Sequence, residues 1–198
     1  RVVVGGCASE EFSLADMVFQ GTVLGLVLWT LFYSDVKSAC ERSGFEDTIF
    51  AEDLNAFRLM CASSSNEELV ESAKGCQRQV HRWGKANGVD FEPTKESIHV
   101  LHRRDPYGES SKMLGVTFDT KLTMGLEVDS LREECSWKVA QLLRAQTFFT
   151  GLELLFLYKQ QVLGVIEYRT AALYHAADSV LEPLDVVQRR VIRAAGMT

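Results

Sequence analysis

The chain has 198 residues, of which 46% are hydrophobic and 24% are charged. This length and composition can bury one sizeable core with room for a small second subdomain, which excludes a disordered segment and a mini-protein. The formal net charge of −6 argues against a strongly nucleic-acid-binding surface, because affinity for phosphate backbones depends mainly on Lys and Arg. We expect a globular α+β protein.

The charge is unevenly distributed along the chain. Residues 1–70 hold 11 acidic and 4 basic side chains, whereas residues 71–198 hold 16 acidic and 17 basic ones, so any nucleic-acid track is expected in the second part. The five cysteines form no C-x-x-C pair, a spacing typical of reduced intracellular thiols. The longest apolar stretch, residues 23–33, is too short to span a bilayer. We expect a soluble intracellular protein with no membrane partner.

The first third of the chain predicts a hairpin followed by a helix. Residues 2–4 and the two glycines after them are typical of a strand and turn, and residues 11–18 are the candidate returning strand. Residues 22–35 are apolar on all sides, which predicts a buried helix with Thr22 as its N-cap.

Helical periodicity dominates the rest of the sequence. Apolar residues at steps of four and three predict a helix over 67–87, with Ser65 or Asn66 as N-cap and Gly88 as its stop. The change from a mixed to a helical pattern favours a domain boundary near residue 125. The other predicted elements are a strand around 98–100, a turn at 105–108, a strand at 113–118, and helices at 127–149, 152–168 and 183–195.

Two adjacent carboxylates are the sharpest local feature. Residues 48–51 and 55–59 are β-prone, so Glu52 and Asp53 lie at the tip of a predicted hairpin. Phosphoryl transfer with two divalent ions needs carboxylates on a rigid turn, because Mg²⁺ prefers hard oxygen ligands in near-octahedral geometry. Two acidic residues at a turn are more often simply solvated, so this feature alone favours a structural role.

The order of several segments resembles the palm of a non-LTR retrotransposon reverse transcriptase. Residues 17–25, MVFQGTVLG, are similar to that family's GVPQGSVLG stretch, and residues 50–53, FAED, take the place of its Tyr/Phe-Ala-Asp-Asp catalytic hairpin. Further on, 81–83 and 91–95 resemble the W…LxFNxxK segment, 113–119 (MLGVTFD) the YLGVxLD hairpin that grips the primer, and 187–190 the downstream VQRR helix.

The resemblance covers nearly the whole chain and implies its domains. Residues 1–125 would be a partial palm, a small antiparallel sheet with packed helices that carries the glutamine motif, the catalytic hairpin and the primer-grip hairpin. Residues 126–198 would form a helical, thumb-like region. The implied activity is that of an RNA-directed DNA polymerase, with an RNA template, a DNA primer and deoxynucleotides as partners and Mg²⁺ or Mn²⁺ as cofactor.

The resemblance also implies roles for individual residues, each with a plainer alternative. Gln20-Gly21 is equally typical of a turn before a helix, Lys95 of a solvated loop, and the arginines of a solvated helix face. The pair His99 and His102 lacks the further ligands a metal site needs. The implied roles are catalytic carboxylates and metal ligands for Glu52 and Asp53, triphosphate contact for Lys95, template and nucleotide contact for Gln20, Gly21, Phe50 and Ala51, primer grip for Leu114 and Gly115, and backbone contact for Arg189, Arg190 and Arg193.

Departures from the family pattern predict that this chain is inactive by itself. Only 19 residues precede Gln20, and none forms the family's Asp-x-x-x-Ala-Phe-Asp-like strand, so one metal ligand is expected to be missing. Glu52 replaces an aspartate, and metal sites rarely tolerate the extra methylene. Met17, Phe19, Leu26 and Glu92 also differ from the motif residues.

Two alternatives to a polymerase fragment stay open. One is a non-catalytic nucleic-acid-binding or scaffold module that keeps the fold, which a continuous basic track in residues 71–198 would favour. The other is a decayed reading frame whose uncovered apolar faces cause aggregation. A truncated palm predicts an exposed edge at the hairpin of residues 50–59.

Overall fold

A computed structural model describes residues 3–10, 21–61 and 63–197. The strands are β1 (Val3–Val4), β2 (Cys7–Ala8), β3 (Glu46–Phe50), β4 (Asp53–Phe57), β5 (Ser111–Met113) and β6 (Val116–Phe118). The α-helices are α1 (Gly25–Tyr33), α2 (Lys37–Glu41), α3 (Asn66–Asn87), α4 (Gly125–Arg144), α5 (Gly151–Tyr158), α6 (Gly164–Leu173) and α7 (Asp178–Ala194). Short 3₁₀ turns cover Ser34–Val36, Pro93–Lys95 and Gln146–Phe148.

The chain divides into two compact units, Arg1–Thr94 and Lys95–Thr198. In the described part of the chain, each of the three sheets consists of two antiparallel strands, with β1–β2 and β3–β4 in the first unit and β5–β6 in the second. Helices with small antiparallel sheets make the fold α+β, as predicted. The β5–β6 hairpin groups with the helical tail, whereas the palm and thumb domains on either side of residue 125 stay a prediction.

The first unit is organised around helix α3. Ser65 caps this helix by accepting a hydrogen bond from the backbone N–H of Glu68, whose carboxylate accepts one from the Ser65 backbone. Gly88 ends the helix in the left-handed conformation at φ 70°. Both ends lie where the sequence predicts them, because a capping box and a terminal glycine are local signals. The buried core contains Tyr33, Val36, Ala39, Cys40, Phe45, Cys76, Val80 and Trp83.

Helix α1 forms within the predicted range but is not buried. It begins at Gly25, with Leu24 rather than Thr22 at the N-cap and no side-chain cap. Much of its apolar surface is exposed, including Leu26 at 71% and Leu31 at 67%. A two-stranded hairpin is too small to cover every side of an apolar helix, so the prediction of burial is wrong for the described part of the chain.

The N-terminal hairpin is tighter than predicted. Strand β2 follows directly after Gly5 and Gly6, which both adopt positive φ, and pairs Val4 with Cys7. A two-glycine loop closes an antiparallel pair without further residues. The predicted returning strand at 11–18 lies outside the described residues.

The second unit has the larger core, in which α4 packs along α7. The predicted strand around 98–100 is reduced here to an isolated bridge between Val100 and Tyr107, and the strand predicted over 113–118 is a hairpin. No helix in the described ranges is long and apolar enough to cross a membrane. The core residues are Val116, Met124, Val128, Leu131, Cys135, Val139, Leu142, Leu154, Tyr158, Val162, Leu173, Leu184, Val187 and Val191.

The helix predicted over 152–168 is interrupted in the structure, and the helix predicted over 183–195 begins earlier than expected. A π-helical turn, Lys159–Leu163, separates α5 from α6, and helix α7 begins five residues before Pro183, which therefore lies inside it. The end of α7 is as predicted. Gly196 has φ 74°, and the amides of Gly196 and Met197 donate to the carbonyls of Arg193 and Ile192, which is a Schellman motif.

Candidate functional site

The acidic hairpin turns through two residues. Phe50 pairs with Asp53, so Ala51 and Glu52 form the turn and Asp53 is the first residue of β4. Ala51 has φ 52° and Glu52 does not have a positive φ, the pattern of a type II′ turn, whose first central position normally holds glycine. A non-glycine residue in this conformation costs about 1–3 kcal/mol and persists only where the surroundings enforce it.

Two aromatic side chains of α1 enforce this turn. The Trp29 indole N–H donates to the Ala51 carbonyl at 3.0 Å, and the Tyr33 hydroxyl donates to the Glu52 carbonyl at 3.2 Å. The two rings stack with centroids 5.0 Å apart, and Trp83 of α3 meets Tyr33 edge-on at 5.9 Å. Both carbonyls of the turn are therefore held by side chains anchored in the aromatic core.

Burial and charge keep Tyr33 a hydrogen-bond donor. Burial raises the pKa of its hydroxyl, and the negative charges of Cys40 when ionised, Asp53 and Glu52 raise it further. A raised pKa means that the phenol stays protonated through the neutral range. The tyrosine can thus donate to the turn throughout the neutral pH range.

The described residues do not form a two-metal centre. Glu52 and Asp53 are both exposed, and no group of three His, Cys, Asp or Glu side chains in the described ranges is arranged to hold a metal ion. Paired catalytic ions about 3.5–4 Å apart need shared carboxylates from more than one element. Among the described residues, the hairpin brings two exposed carboxylates to a turn whose carbonyls are hydrogen-bonded.

The remaining residues predicted around the carboxylates are only partly placed. Gln20 lies outside the described residues, whereas Gly21 is exposed with φ 84°, and Phe50 is 61% exposed. β3 and β4 pair with no other strand in the described part of the chain, as the exposed-edge prediction requires. Lys95 is exposed and begins the second unit; the two units are described separately, so its role near the triphosphate stays a prediction.

The hairpin predicted to grip a primer has a different turn. Met113 pairs with Val116, which leaves Leu114 and Gly115 as the central residues, at φ 49° and 83°. Positive φ at both positions is the pattern of a type I′ turn. The Tyr168 hydroxyl donates to the Leu114 carbonyl at 2.8 Å, so an aromatic donor also secures this strained turn.

A buried ion pair contacts the backbone of the same hairpin. Glu127, which is 2% exposed, accepts a hydrogen bond from the Thr117 backbone N–H at 2.6 Å and meets Arg169 at 2.7 Å. Arg169 also reaches Glu134 at 3.3 Å. This network joins β6, α4 and α6. Sequence reasoning missed it, although an arginine in the apolar run of residues 162–174 was an available signal, since cations in such runs are usually paired.

The three arginines of helix α7 share the exposed part of the helix. Arg189, Arg190 and Arg193 are all exposed, whereas Val187 and Val191 face the core. Of the ion pairs formed among the described residues, none involves these arginines. The arrangement suits contact with a phosphate backbone and suits a solvated face equally.

Sequence comparison shows a distant similarity of this chain to a transposon polymerase. The chain is 26% identical over 200 residues to a probable RNA-directed DNA polymerase from the transposon X-element of Drosophila melanogaster. The match covers 93% of this chain and 22% of the relative, so the chain spans about a fifth of that protein's length. This confirms the predicted relation to a transposon reverse transcriptase.

The other two comparisons found no match. No protein-family model matches the chain, and no solved structure matches it.

Proposed function

We propose that this chain is a part of a reverse-transcriptase palm and thumb that binds nucleic acid but does not polymerise DNA by itself. The observation that carries the proposal is the acidic turn, which Trp29 and Tyr33 hold in a strained conformation at the place of the catalytic hairpin in the motif order. Strained turns supported in this way concentrate at functional sites. The similarity to a transposon RNA-directed DNA polymerase along most of the chain supports the same assignment.

The ligand set of the described residues supports the proposed inactivity of the chain by itself. Glu52 and Asp53 would hold Mg²⁺ or Mn²⁺ only together with a carboxylate from outside the described residues, since the described ones bring no third ligand to the turn. Glu52 is also one methylene longer than the aspartate it replaces in the family pattern. A bound metal would supply Lewis-acid stabilisation of the attacking and leaving oxygens; this chain's own contribution is to fix the turn.

The nucleic-acid contacts are assigned to the second hairpin and to α7. In this proposal, Leu114 and Gly115 at the β5–β6 turn face the primer strand, and Arg189, Arg190 and Arg193 neutralise phosphates. Arginine suits this role because its planar fork matches phosphate oxygens. Gln20, Gly21, Phe50 and Ala51 would contact template and nucleotide, and Lys95 the triphosphate.

Primer extension on an RNA template with Mg²⁺ or Mn²⁺ tests the proposal. We expect no extension by the chain alone, and extension by a chain that carries Glu52→Asp and is fused to an upstream palm segment of an active reverse transcriptase. The same fusion with Asp53→Asn is the matched negative control. Extension by the unmodified chain would refute the inactivity, and silence of every fusion would leave a non-catalytic binding module as the better explanation.

The alternative is a non-catalytic nucleic-acid-binding or scaffold module derived from a reverse transcriptase. The exposed arginines of α7 favour it, because they need no metal site to contact a phosphate backbone. Binding of an RNA–DNA hybrid that is unchanged by Asp53→Asn, together with silent fusions, would support this module instead.

A further inference from the structure

A pocket in the second unit lies apart from the acidic turn. It has a volume of about 160 Å³, is partly open to solvent, and is lined by Leu101, His102, Arg103, Lys121, Leu122 and His175. Three separate segments build it. The His102 backbone N–H donates to the Thr120 carbonyl at 3.0 Å, and His175 is in hydrogen-bond contact with the Leu122 carbonyl at 3.1 Å. Defined hydrogen bonds therefore hold the lining together.

The lining is basic. Arg103 and Lys121 bring two cationic side chains, and the lining includes no carboxylate. The ion pairs formed among the described residues involve neither of these cations. The nearest acids along the chain are Asp105 and Asp119, of which Asp119 is occupied with hydrogen bonds inside its own loop. The pocket therefore offers positive charge that the protein does not neutralise within the lining.

The two histidines have defined tautomers when neutral. His102 Nδ1 accepts a hydrogen bond from the Asp105 backbone N–H at 2.9 Å, so its proton resides on Nε2. His175 Nε2 contacts a carbonyl, which can only accept, so this nitrogen is the donor. His102 therefore offers an N–H to a ligand in the pocket even without an extra proton.

The loop that carries Lys121 has a fixed shape. The Asp119 carboxylate accepts hydrogen bonds from the backbones of Lys121, Thr123 and Met124 and from the Thr123 hydroxyl. Burial opposes ionisation of Asp119, but these hydrogen bonds outweigh it and lower the pKa of its carboxyl. Leu122 has φ 55° in the same loop. The fixed loop limits the entropy lost on ligand binding.

We propose that this pocket binds one phosphate group of a nucleic-acid backbone. The Arg103 guanidinium, the Lys121 ammonium and the His102 Nε2–H are donors, and a lining that combines such donors with no carboxylate selects an anion with several acceptor oxygens. The pocket of about 160 Å³ has room for a single phosphate group, and the charge of its lining favours that group over an uncharged base. The inference that this phosphate belongs to a nucleic acid rests on the proposed function.

Fluorescence anisotropy with a short labelled RNA–DNA hybrid tests the pocket in the full chain. We expect Arg103→Gln with Lys121→Gln to weaken binding about tenfold and to lower the salt slope by about one. The matched control, Arg144→Gln with Lys159→Gln, removes the same charge from exposed helical positions of the same unit and should change affinity less than about twofold. Thermal unfolding checks that all variants fold.

Failure of the pocket proposal and failure of the proposed function give different results in these experiments. Equal weakening by both double variants would overturn the pocket while nucleic-acid binding stands. If the unmodified chain does not bind the hybrid, the proposed function fails, and inorganic phosphate is then titrated while the imidazole NMR signals of His102 and His175 are followed. Saturable shifts that disappear in the pocket variant would retain an anion site for free phosphate and overturn its nucleic-acid role. Absence of shifts would overturn the pocket altogether.

Discussion

The two turns that carry candidate functional residues are built alike but supported differently. Each places a non-glycine residue at positive φ, Ala51 in one and Leu114 in the other, and each has a carbonyl held by an aromatic donor from a distant helix. The acidic turn rests on stacked aromatic rings of an otherwise exposed helix. The second turn rests on a hairpin anchored by a buried charge network.

The acidic turn is thus supported by aromatic packing, and the second hairpin by a buried ion pair. An aromatic stack loses its contribution gradually when one ring is trimmed, since neighbouring contacts remain. A buried ion pair fails as a unit, because removing one partner leaves a charge without compensation. The hairpin of residues 111–118 should therefore be the more sensitive of the two to a single substitution in its support.

The largest expected effect is that of Arg169→Leu. This change leaves Glu127 buried without its cation and should destabilise the second unit by about 3–5 kcal/mol, measured by chemical unfolding. Arg144→Leu is the matched control, because Arg144 is exposed at the end of α4, and it should change stability by less than about 0.5 kcal/mol. Equal effects of the two substitutions would show that the buried pair does not support the unit.

The next effect is a gain in stability from relief of turn strain. Leu114→Asn creates the Asn-Gly pair that type I′ turns favour and should stabilise the chain by about 1–2 kcal/mol. Leu114→Ala keeps an unfavourable residue in the left-handed conformation and is the control for loss of the leucine side chain. The measurement is the free energy of unfolding of the unmodified chain and of both variants. A loss of stability with Asn that matches the loss with Ala would mean that this turn carries no strain.

The smallest effect distinguishes the two tyrosine donors. Tyr33→Phe and Tyr168→Phe each remove one hydrogen bond, which costs about 0.5–1.5 kcal/mol. Tyr33 is 2% exposed and Tyr168 is 66% exposed, so water can replace only the second donor. We expect Tyr33→Phe near the upper value and Tyr168→Phe near the lower one. The reverse order in unfolding measurements would contradict the distinction between a buried and an exposed donor.

Local signals explain which elements the sequence predicted well. The start of α3 at its Ser65 capping box, its end at Gly88 and the end of α7 at Gly196 depend on residues within one helical turn of each other. The acidic hairpin was also predicted, although its turn is one residue shorter than expected. By contrast, the burial of α1 was wrongly predicted, because the apolar pattern of a helix does not indicate how much partner surface is available.

Residues distant in the sequence account for what prediction missed. Tyr168 and Leu114 are 54 residues apart, and the pair of Glu127 with Arg169 joins two helices whose sequences carry no shared motif. Neither periodicity nor capping encodes such a contact. The basic pocket likewise combines three segments, and of its lining residues only His102 was a candidate ligand in the sequence.

The sequence by itself determined the α+β class, the positions of most helices and the relation to a transposon reverse transcriptase, because composition, periodicity and motif order are read along the chain. Only the tertiary structure decided that Trp29 and Tyr33 hold the acidic turn, that a buried ion pair holds the second hairpin, and that Lys121 and Arg103 line one pocket. These features depend on distances between side chains, and those distances are set by the packing of whole helices and hairpins.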